Sequence, residues 1–401
     1  SGDQTLSLFD ADLKRLRDDI STDLGRVAYR MTPSAGDELL LEANVQQIRD
    51  RSSQRTNQAD PFFGAFVLDS DFGQKLNAHR FSALYSTLGP SQKIQAGASS
   101  IKLSGSFNGT LATCCIFGPD PISIDLPSSR RKSDTDTAFV YGQWRWGRGL
   151  ILDSGLEYVR FSDVVSASAE RVNGKFGLTY RASDMTTLRV AAFQGVKSSK
   201  YDRDGLAPTQ FAGFSQVFDD FDGTRWSRVA FALDQRLRGG ASGGVEASGR
   251  RLAVPTLGCV DAECMTHWKE SQHRAHLSIP FGRRSSLALE WRHEATQLDE
   301  SPQYLNSVPY RLRTDLLPVR LWVKTDRGDL LVENWAVRQN ARMFDAGSGG
   351  DFVGHSAFSV LNLRYSVPLM SGRATVSAGI SNLFDHNFRF QNSDYNGDPK
   401  A

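Results

Sequence analysis

Short polar turns alternate with longer polar loops along the whole chain, and this alternation limits the possible folds more than any other sequence feature. The eight short turns lie at Thr32–Asp37, Leu88–Ser91, Trp146–Gly149, Ala182–Asp184, Arg238–Gly240, Phe281–Arg284, Thr325–Asp329 and Pro368–Gly372. The eight long loops lie at Arg51–Gln74, Asn108–Ser133, Ser162–Glu170, Lys197–Asp222, Ala253–Trp268, Gln297–Leu305, Met343–Gly354 and Asp385–Ala401. Outer-membrane barrels combine tight periplasmic turns with long outer loops. We therefore predict an all-β fold, a transmembrane antiparallel up-and-down β-barrel of about sixteen to eighteen strands.

The segments between the turns have one apolar face. In Arg225–Leu237, for example, Val229, Phe231 and Leu233 alternate with charged residues such as Arg228, Asp234 and Arg236. A period of two with one apolar face is typical of a half-buried strand. The polar face suits a water-filled lumen, and the bacterial outer membrane is the predicted location. A soluble all-β sandwich or propeller is the alternative.

Several aromatic residues lie near strand ends, where interface girdles form in membrane barrels. They are Tyr29, Tyr85, Tyr141, Trp144, Trp146, Tyr158, Phe161, Trp226, Trp322 and Tyr365. The net charge of +2 and the absence of a Lys/Arg-rich segment argue against nucleic acid as a partner. Outer-membrane lipid is the expected partner.

Eight short turns join sixteen strands, and we predict one barrel domain over residues 1–401, with residues 1–20 as an N-terminal lead-in. Thr5–Arg17 is a candidate for one additional strand. The tail Asn387–Ala401 lacks a strand pattern. We therefore favour about eighteen strands, with the final strand missing after Ala401, over closure by sixteen strands.

Two segments resemble TonB-dependent receptors. Ser381–Asp385 (SNLFD) resembles the signature before the final hairpin loop of that family, and Asn173–Phe193 followed by Leu206–Thr209 is similar to a mid-barrel hairpin and its loop. Leu206–Thr224 resembles a segment of plug-less barrels fused behind periplasmic tetratricopeptide repeats. The resemblance implies transport across the outer membrane, with a plug and TonB system or a periplasmic repeat domain as partner.

The four cysteines, Cys114, Cys115, Cys259 and Cys264, lie in predicted outer loops. An even number of cysteines in exposed loops indicates structural disulfides. Cys259–Cys264 is the first choice of pairing, and bridges between the two loops are the alternative. Metal binding is less favoured, because the C-x₂-C spacing of zinc sites is missing.

The acidic clusters around Asp202, Asp219–Gly223 and Asn392–Asp398 contain residue types that bind calcium, but they lack EF-hand spacing. We predict that they are solvated loops. No catalytic motif is present in the sequence, so we expect no enzyme activity, no cofactor and no metal.

Alternation also assigns the residues that line the predicted lumen: Lys175, Arg181, Arg228, Asp234, Arg236, Glu290 and Arg292. The first functional hypothesis is a conduit for a polar solute or polymer, with charged rows that favour polar or anionic solutes. An alternative role for the same charges is to stiffen the barrel by bonding across the lumen.

The second functional hypothesis is a surface scaffold or adhesin whose long loops bind a partner protein. Its support is an apolar stretch, Asp60–Leu68, inside a predicted outer loop. Phe62, Phe63 and Phe66 are the candidate contact residues, since exposed apolar patches mark interaction sites. The same stretch could instead fold into the pore or belong to a strand.

Overall fold

A computed structural model describes residues 13–60, 64–114, 122–163, 168–197, 206–218, 220–255, 265–299, 309–345, 350–369 and 373–385. Its strands are β1 Leu13–Met31, β2 Asp37–Asp60, β3 Gly64–Leu88, β4 Gln92–Cys114, β5 Ile122–Trp146, β6 Leu150–Asp163, β7 Ala169–Arg181, β8 Thr186–Val196, β9 Gln210–Phe211, β10 Phe214–Ser215, β11 Arg225–Arg236, β12 Ser242–Pro255, β13 Met265–Phe281, β14 Ser285–Leu298, β15 Pro309–Lys324, β16 Asp329–Asp345, β17 Gly350–Leu369 and β18 Ala374–Ile380. No helix among these residues is both long and apolar enough to span a bilayer.

Sixteen of the strands form one antiparallel sheet in which sequence neighbours are spatial neighbours. β9 and β10 form a separate two-stranded hairpin, so β8 pairs with β11. In the described residues, β1 and β18 are the two edges of the sheet. Leu84 of β3 and Tyr310 of β15 pack against the same apolar cluster, so the sheet curves around that cluster. The predicted up-and-down β-barrel class is confirmed.

The two faces of the sheet differ in exposure and polarity. On β11, Val229 and Phe231 are 62% and 46% exposed, whereas Arg228, Ala230 and Ala232 are buried. We call the face that bears Val229 and Phe231 the outer face, and the opposite one the inner face. An exposed apolar face is the arrangement that a lipid environment favours.

The short turns lie where the sequence predicts them. Seven of the eight connect paired strands within the described residues, from Thr32–Asp37 at β1–β2 to Thr325–Asp329 at β15–β16. The eighth, Pro368–Gly372, lies mostly outside them. Gly36 shows why the residue type matters, because its φ of +92° is strained for residues with a side chain.

Two of the predicted long loops, Arg51–Gln74 and Asn108–Ser133, are shorter than predicted, because much of each belongs to paired strands. β2 and β3 extend through Arg51–Gln74 as far as Asp60 and Gly64, and they pair along that whole length. β4 and β5 likewise extend deep into Asn108–Ser133. Both faces of a strand above the membrane contact water, so polar residues occur at both parities and the apolar alternation disappears. Such a segment therefore has the sequence pattern of a loop.

The two chain ends also differ from expectation. Leu13–Met31 is one continuous strand, so Leu13–Arg17 is not a separate strand and residues 13–20 are not a lead-in. After β18, the SNLFD segment is a turn in which Asn382 and Asp385 have φ near +50°. Asn and Asp tolerate this conformation better than other residues with a side chain, which explains their place in the motif. A strand after Ala401 remains a prediction.

The predicted aromatic girdle is partly wrong. Tyr29, Tyr85 and Trp146 are well exposed, as a girdle requires. Tyr141, Phe161 and Trp226, however, are no more than 6% exposed and lie on the inner face. Their parity, rather than their nearness to a strand end, determines the face that they occupy.

The assignment of faces predicts how much a charge destabilises the protein when it is placed among the exposed apolar residues of the outer face. We call these residues the apolar belt. We expect Phe231→Arg to lower the free energy of unfolding by about 2–4 kcal/mol, because the guanidinium would face hydrocarbon. Ser271→Arg is the matched control, since Ser271 is also on the outer face but lies opposite Gly249 and Ala295, nearer the long-loop end. Its cost should be about 0–1 kcal/mol. Denaturant titration in liposomes measures both, and equal costs would contradict the assignment.

Candidate functional site

The segment between β8 and β11 folds back over the inner face. We call residues 206–224 the insertion, of which Asp219 is not described. Ala212 and Gly213, both with positive φ, form the turn between β9 and β10. The hairpin contacts β7 at Gly177, where a Cβ atom would lie 2.4 Å from the Ala212 Cβ. A side chain at position 177 would therefore displace the insertion.

Four cationic side chains from four successive strands bind the insertion. Lys175 Nζ of β7 donates to Gln216 Oε1 at 2.5 Å. Arg189 Nη1 of β8 donates to the Gly213 carbonyl at 3.0 Å, and Arg228 Nη1 of β11 to the Ser215 carbonyl at 3.1 Å. The fourth cation is Arg250 of β12. These donors cross the sheet in order, so the insertion lies along a row of positive charge.

Arg250 forms the strongest of these contacts. Its two terminal nitrogens lie 2.8 and 2.6 Å from the Asp220 carboxylate oxygens, and its Nε lies 2.6 Å from Glu270 Oε2 of β13. All three side chains are at least nine-tenths buried. The Phe218 ring packs 4.0 Å from the Arg250 guanidinium, a cation–π arrangement. A bidentate, desolvated ion pair therefore anchors the end of the insertion.

Lys175 is held from two sides. Its Nζ lies 2.7 Å from the Tyr141 hydroxyl and 3.1 Å from Glu157 Oε2, in addition to its contact with Gln216. Tyr141 Oη in turn donates to Glu157 Oε1 at 3.1 Å. A buried ammonium ion needs such partners, because it has lost its hydration.

An aromatic cluster packs between the insertion and the inner face of the sheet. Phe211 and Phe214 of the hairpin are at most 5% exposed. Phe211 contacts the rings of Tyr141 and Phe193, and Phe218 meets Trp226 edge to face at 5.1 Å between centroids. Apolar contacts and charge pairs thus hold the same segment in place.

A polar cavity of about 450 Å³ lies between the insertion and β11–β14. The insertion contributes Gln210, Gly213, Ser215, Val217 and Phe218 to its lining. The strands contribute Arg228, Glu246, Gln272, Arg274, Arg292 and Glu294. Glu290 pairs with both Arg274 (2.6 Å) and Arg292 (2.5 Å) at its edge. A cavity with this lining can donate several hydrogen bonds to a polar or anionic solute.

All seven predicted lumen residues have inner-face parity, but they do not form one site. Lys175 and Arg228 hold the insertion, and Arg228 and Arg292 border the cavity. Glu290 is buried between two arginines, and Asp234 pairs with Arg189 at 2.9 Å. Arg181 and Arg236 are exposed close to the short turns.

Sequence reasoning missed Arg189, Arg250 and Asp220. The predicted solvated loop around Asp219–Gly223 is wrong for Asp220, which is 4% exposed and paired. The alternation that assigns Arg228 to the inner face also assigns Arg250, because the two residues are directly opposite each other in register. The pairing of β11 with β12 could therefore have identified Arg250 as an inner-face residue.

Other predicted residues lie at or beyond the limits of the described chain. Phe62, Phe63, Cys115, Cys259 and Cys264 fall outside it, so their roles stay predictions. Phe66 belongs to β3, which is the strand alternative that the sequence left open, and its role as a contact residue stays a prediction. Cys114 is the last residue of β4. The described residues contain no group of three or more His, Cys, Asp or Glu side chains that could hold a metal ion.

The family model described as TonB dependent receptor-like, beta-barrel matches residues 2–224. No curated relative matches the sequence.

Solved structures of similar fold include FecA, BauA and FpvA. The ferric citrate transporter FecA is 10% identical with a TM-score of 0.61, and it is matched over 94% of this chain and 58% of its own. BauA, the ferric preacinetobactin receptor from Acinetobacter baumannii, is 11% identical with a TM-score of 0.61, over 93% and 60%. FpvA of P. aeruginosa, bound to a pyoverdine–iron complex, is 10% identical with a TM-score of 0.63, over 92% and 52%. The chain thus spans between half and three fifths of their lengths.

The anchor at Arg250 predicts how the insertion can be released. In Arg250→Gln, Asp220 and Glu270 lose a buried cationic partner, a loss that costs about 3–5 kcal/mol. We expect faster hydrogen exchange and proteolysis within residues 206–218. Arg274→Gln is the control, because Arg274 lies on the same face but pairs with Glu290 rather than with the insertion. Protection that is equal in both variants would contradict the anchor.

Proposed function

Because this chain belongs to the TonB-dependent receptor-like β-barrel family, we propose that it conducts a polar solute across the bacterial outer membrane along its inner face. Membership places the chain in the outer membrane. The observation that carries the proposal is the polar cavity beneath the insertion, on a face lined with charge, while the outer face is apolar.

The insertion acts as the constriction of this conduit. It covers the inner face from β7 to β12 and is bound at Lys175, Arg189, Arg228 and Arg250. A solute that passes along the inner face would exchange its water for these donors and for the carboxylates beside them. Multiple weak polar contacts of this kind allow a solute both to enter and to leave.

The cargo class follows from the same chemistry. Arg228, Arg274 and Arg292 present guanidinium donors to the cavity, with Glu246 and Glu294 as balancing acceptors. Mixed donors and acceptors suit a polar solute with anionic groups. The similar structures FecA and BauA are a ferric citrate transporter and a ferric preacinetobactin receptor, which supports a polar solute here.

The partners are proposed on the strength of the family. Energised uptake would require a plug and the TonB system, and a periplasmic repeat domain is the alternative partner for export. The described strands of the main sheet form one continuous ladder, which supports a single barrel domain. That the chain has no enzyme activity stays a prediction.

Conductance tests the proposal. In a planar bilayer, we expect small anion-preferring conductance from the wild-type chain and a larger conductance from Arg250→Gln, because release of the insertion widens the path. Arg292→Glu should shift the reversal potential toward cation preference, since it changes the sign of a charge at the cavity. Arg160→Glu is the control, because Arg160 lies on the outer face opposite Glu170.

Proteolysis would show whether the insertion is released in Arg250→Gln. If it is released and the variant still conducts no ions, the conduit proposal is contradicted. The scaffold hypothesis would then be preferred, and binding of a partner through the long-loop end would be its test.

A further inference from the structure

A group of four arginines lies on the outer face of β15 and β16, beyond the apolar belt. We call Arg311, Arg313, Arg338 and Arg342 the arginine band. Arg313, Arg338 and Arg342 are exposed, and Arg311 is partly exposed. Among the described residues, none of the four forms an ion pair with an acidic side chain.

The register of the two strands places like charges together. Arg311 lies directly opposite Arg342, and Arg313 lies opposite Asn340. Like charges at directly opposite positions destabilise a sheet. The acid nearest the band, Asp315, lies opposite Arg338, but its carboxylate binds His293 Nδ1 at 2.8 Å. Arg311 and Arg342 therefore face each other, and their other cross-strand neighbours, Gln297 and Val353, carry no negative charge.

The position of the arginine band along the membrane normal can be estimated from the exposed apolar residues next to it on the outer face. Leu317 of β15 is 46% exposed, and Trp291 on the adjacent strand is 42% exposed. An exposed tryptophan at the end of an apolar stretch marks a membrane interface. Arg313 is four residues beyond Leu317, roughly 13 Å along the strand and about 9 Å along the membrane normal for a 45° tilt. This is the depth of lipid headgroups rather than of acyl chains.

We infer that the arginine band binds the phosphate groups of a lipid headgroup in the outer leaflet. Guanidinium groups bind phosphate through paired, charge-assisted hydrogen bonds. One phosphate between Arg311 and Arg342 removes their repulsion, and a second phosphate is within the span of Arg313 and Arg338. The headgroup supplies the negative charge that the described cross-strand neighbours of Arg311 and Arg342 do not provide.

Native mass spectrometry of the detergent-purified chain with bisphosphorylated lipid A tests this inference. We expect one bound lipid per chain, and an affinity weakened roughly tenfold or more in the Arg311→Ser/Arg342→Ser double variant, since charge-assisted bonds are lost. Arg160→Ser is the matched control, because this outer-face arginine lies opposite an acid, Glu170. Unchanged affinity in the double variant, or equal loss in the control, would overturn the inference.

Two further measurements separate the alternatives. Arg311→Glu creates an ion pair with Arg342, so thermal stability without lipid should rise while lipid A binding falls. A stable variant that still binds lipid A as wild type would overturn the inference without any question of misfolding. Excess inorganic phosphate should leave the lipid bound. Displacement by phosphate would identify a free-anion site instead of a headgroup site.

Discussion

Backbone hydrogen bonding is the constraint on which the rest of this structure depends. Hydrocarbon offers no partner to an N–H or C=O group, so a chain in lipid must satisfy each of these groups internally. Between the edge strands β1 and β18, the described strands do so through one antiparallel ladder, with β8 joined directly to β11. Once the backbone is paired in this way, side chains can only point to one face or the other. The apolar outer face and the charged inner face follow from that division.

At the level of the exposed apolar residues, the inner face carries charge that the outer face does not, but burial makes the stability of that charge depend on its partners. Arg250 is stable there because Asp220 and Glu270 surround it, and Lys175 because Glu157 and Tyr141 do. Removal of one partner from a buried pair costs more than the pair itself contributes. The strands and the insertion are therefore mutually dependent: β12 needs Asp220 for its arginine, and the insertion needs Arg250 for its position.

Much of the fold could be predicted from the sequence, for a physical reason. Each short turn joins two strands that alternate in polarity up to the turn itself. The end of that alternation, together with turn residues such as Gly36, therefore locates the turn to within a few residues. The outer extensions were missed because water on both faces of β2 and β3 removes the alternation. Asp220 was missed for another reason: its partner Arg250 lies thirty residues away, and only the register β11–β12–β13 brings Glu270 to the same place.

The contacts that hold the insertion differ in strength, and this difference determines which part of the insertion can be released first. Arg189 and Arg228 bind neutral carbonyls, and Lys175 binds a neutral amide oxygen. Arg250 binds a carboxylate through two parallel hydrogen bonds in which both partners are charged, and such bidentate ion pairs are the stronger kind. The base of the insertion is fixed separately, since Lys197 N donates to the Thr224 carbonyl at 2.8 Å and Gly223 N to the Lys197 carbonyl at 2.6 Å. Weakening of the Arg250–Asp220 pair would thus free the hairpin while its base stays attached to β8 and β11.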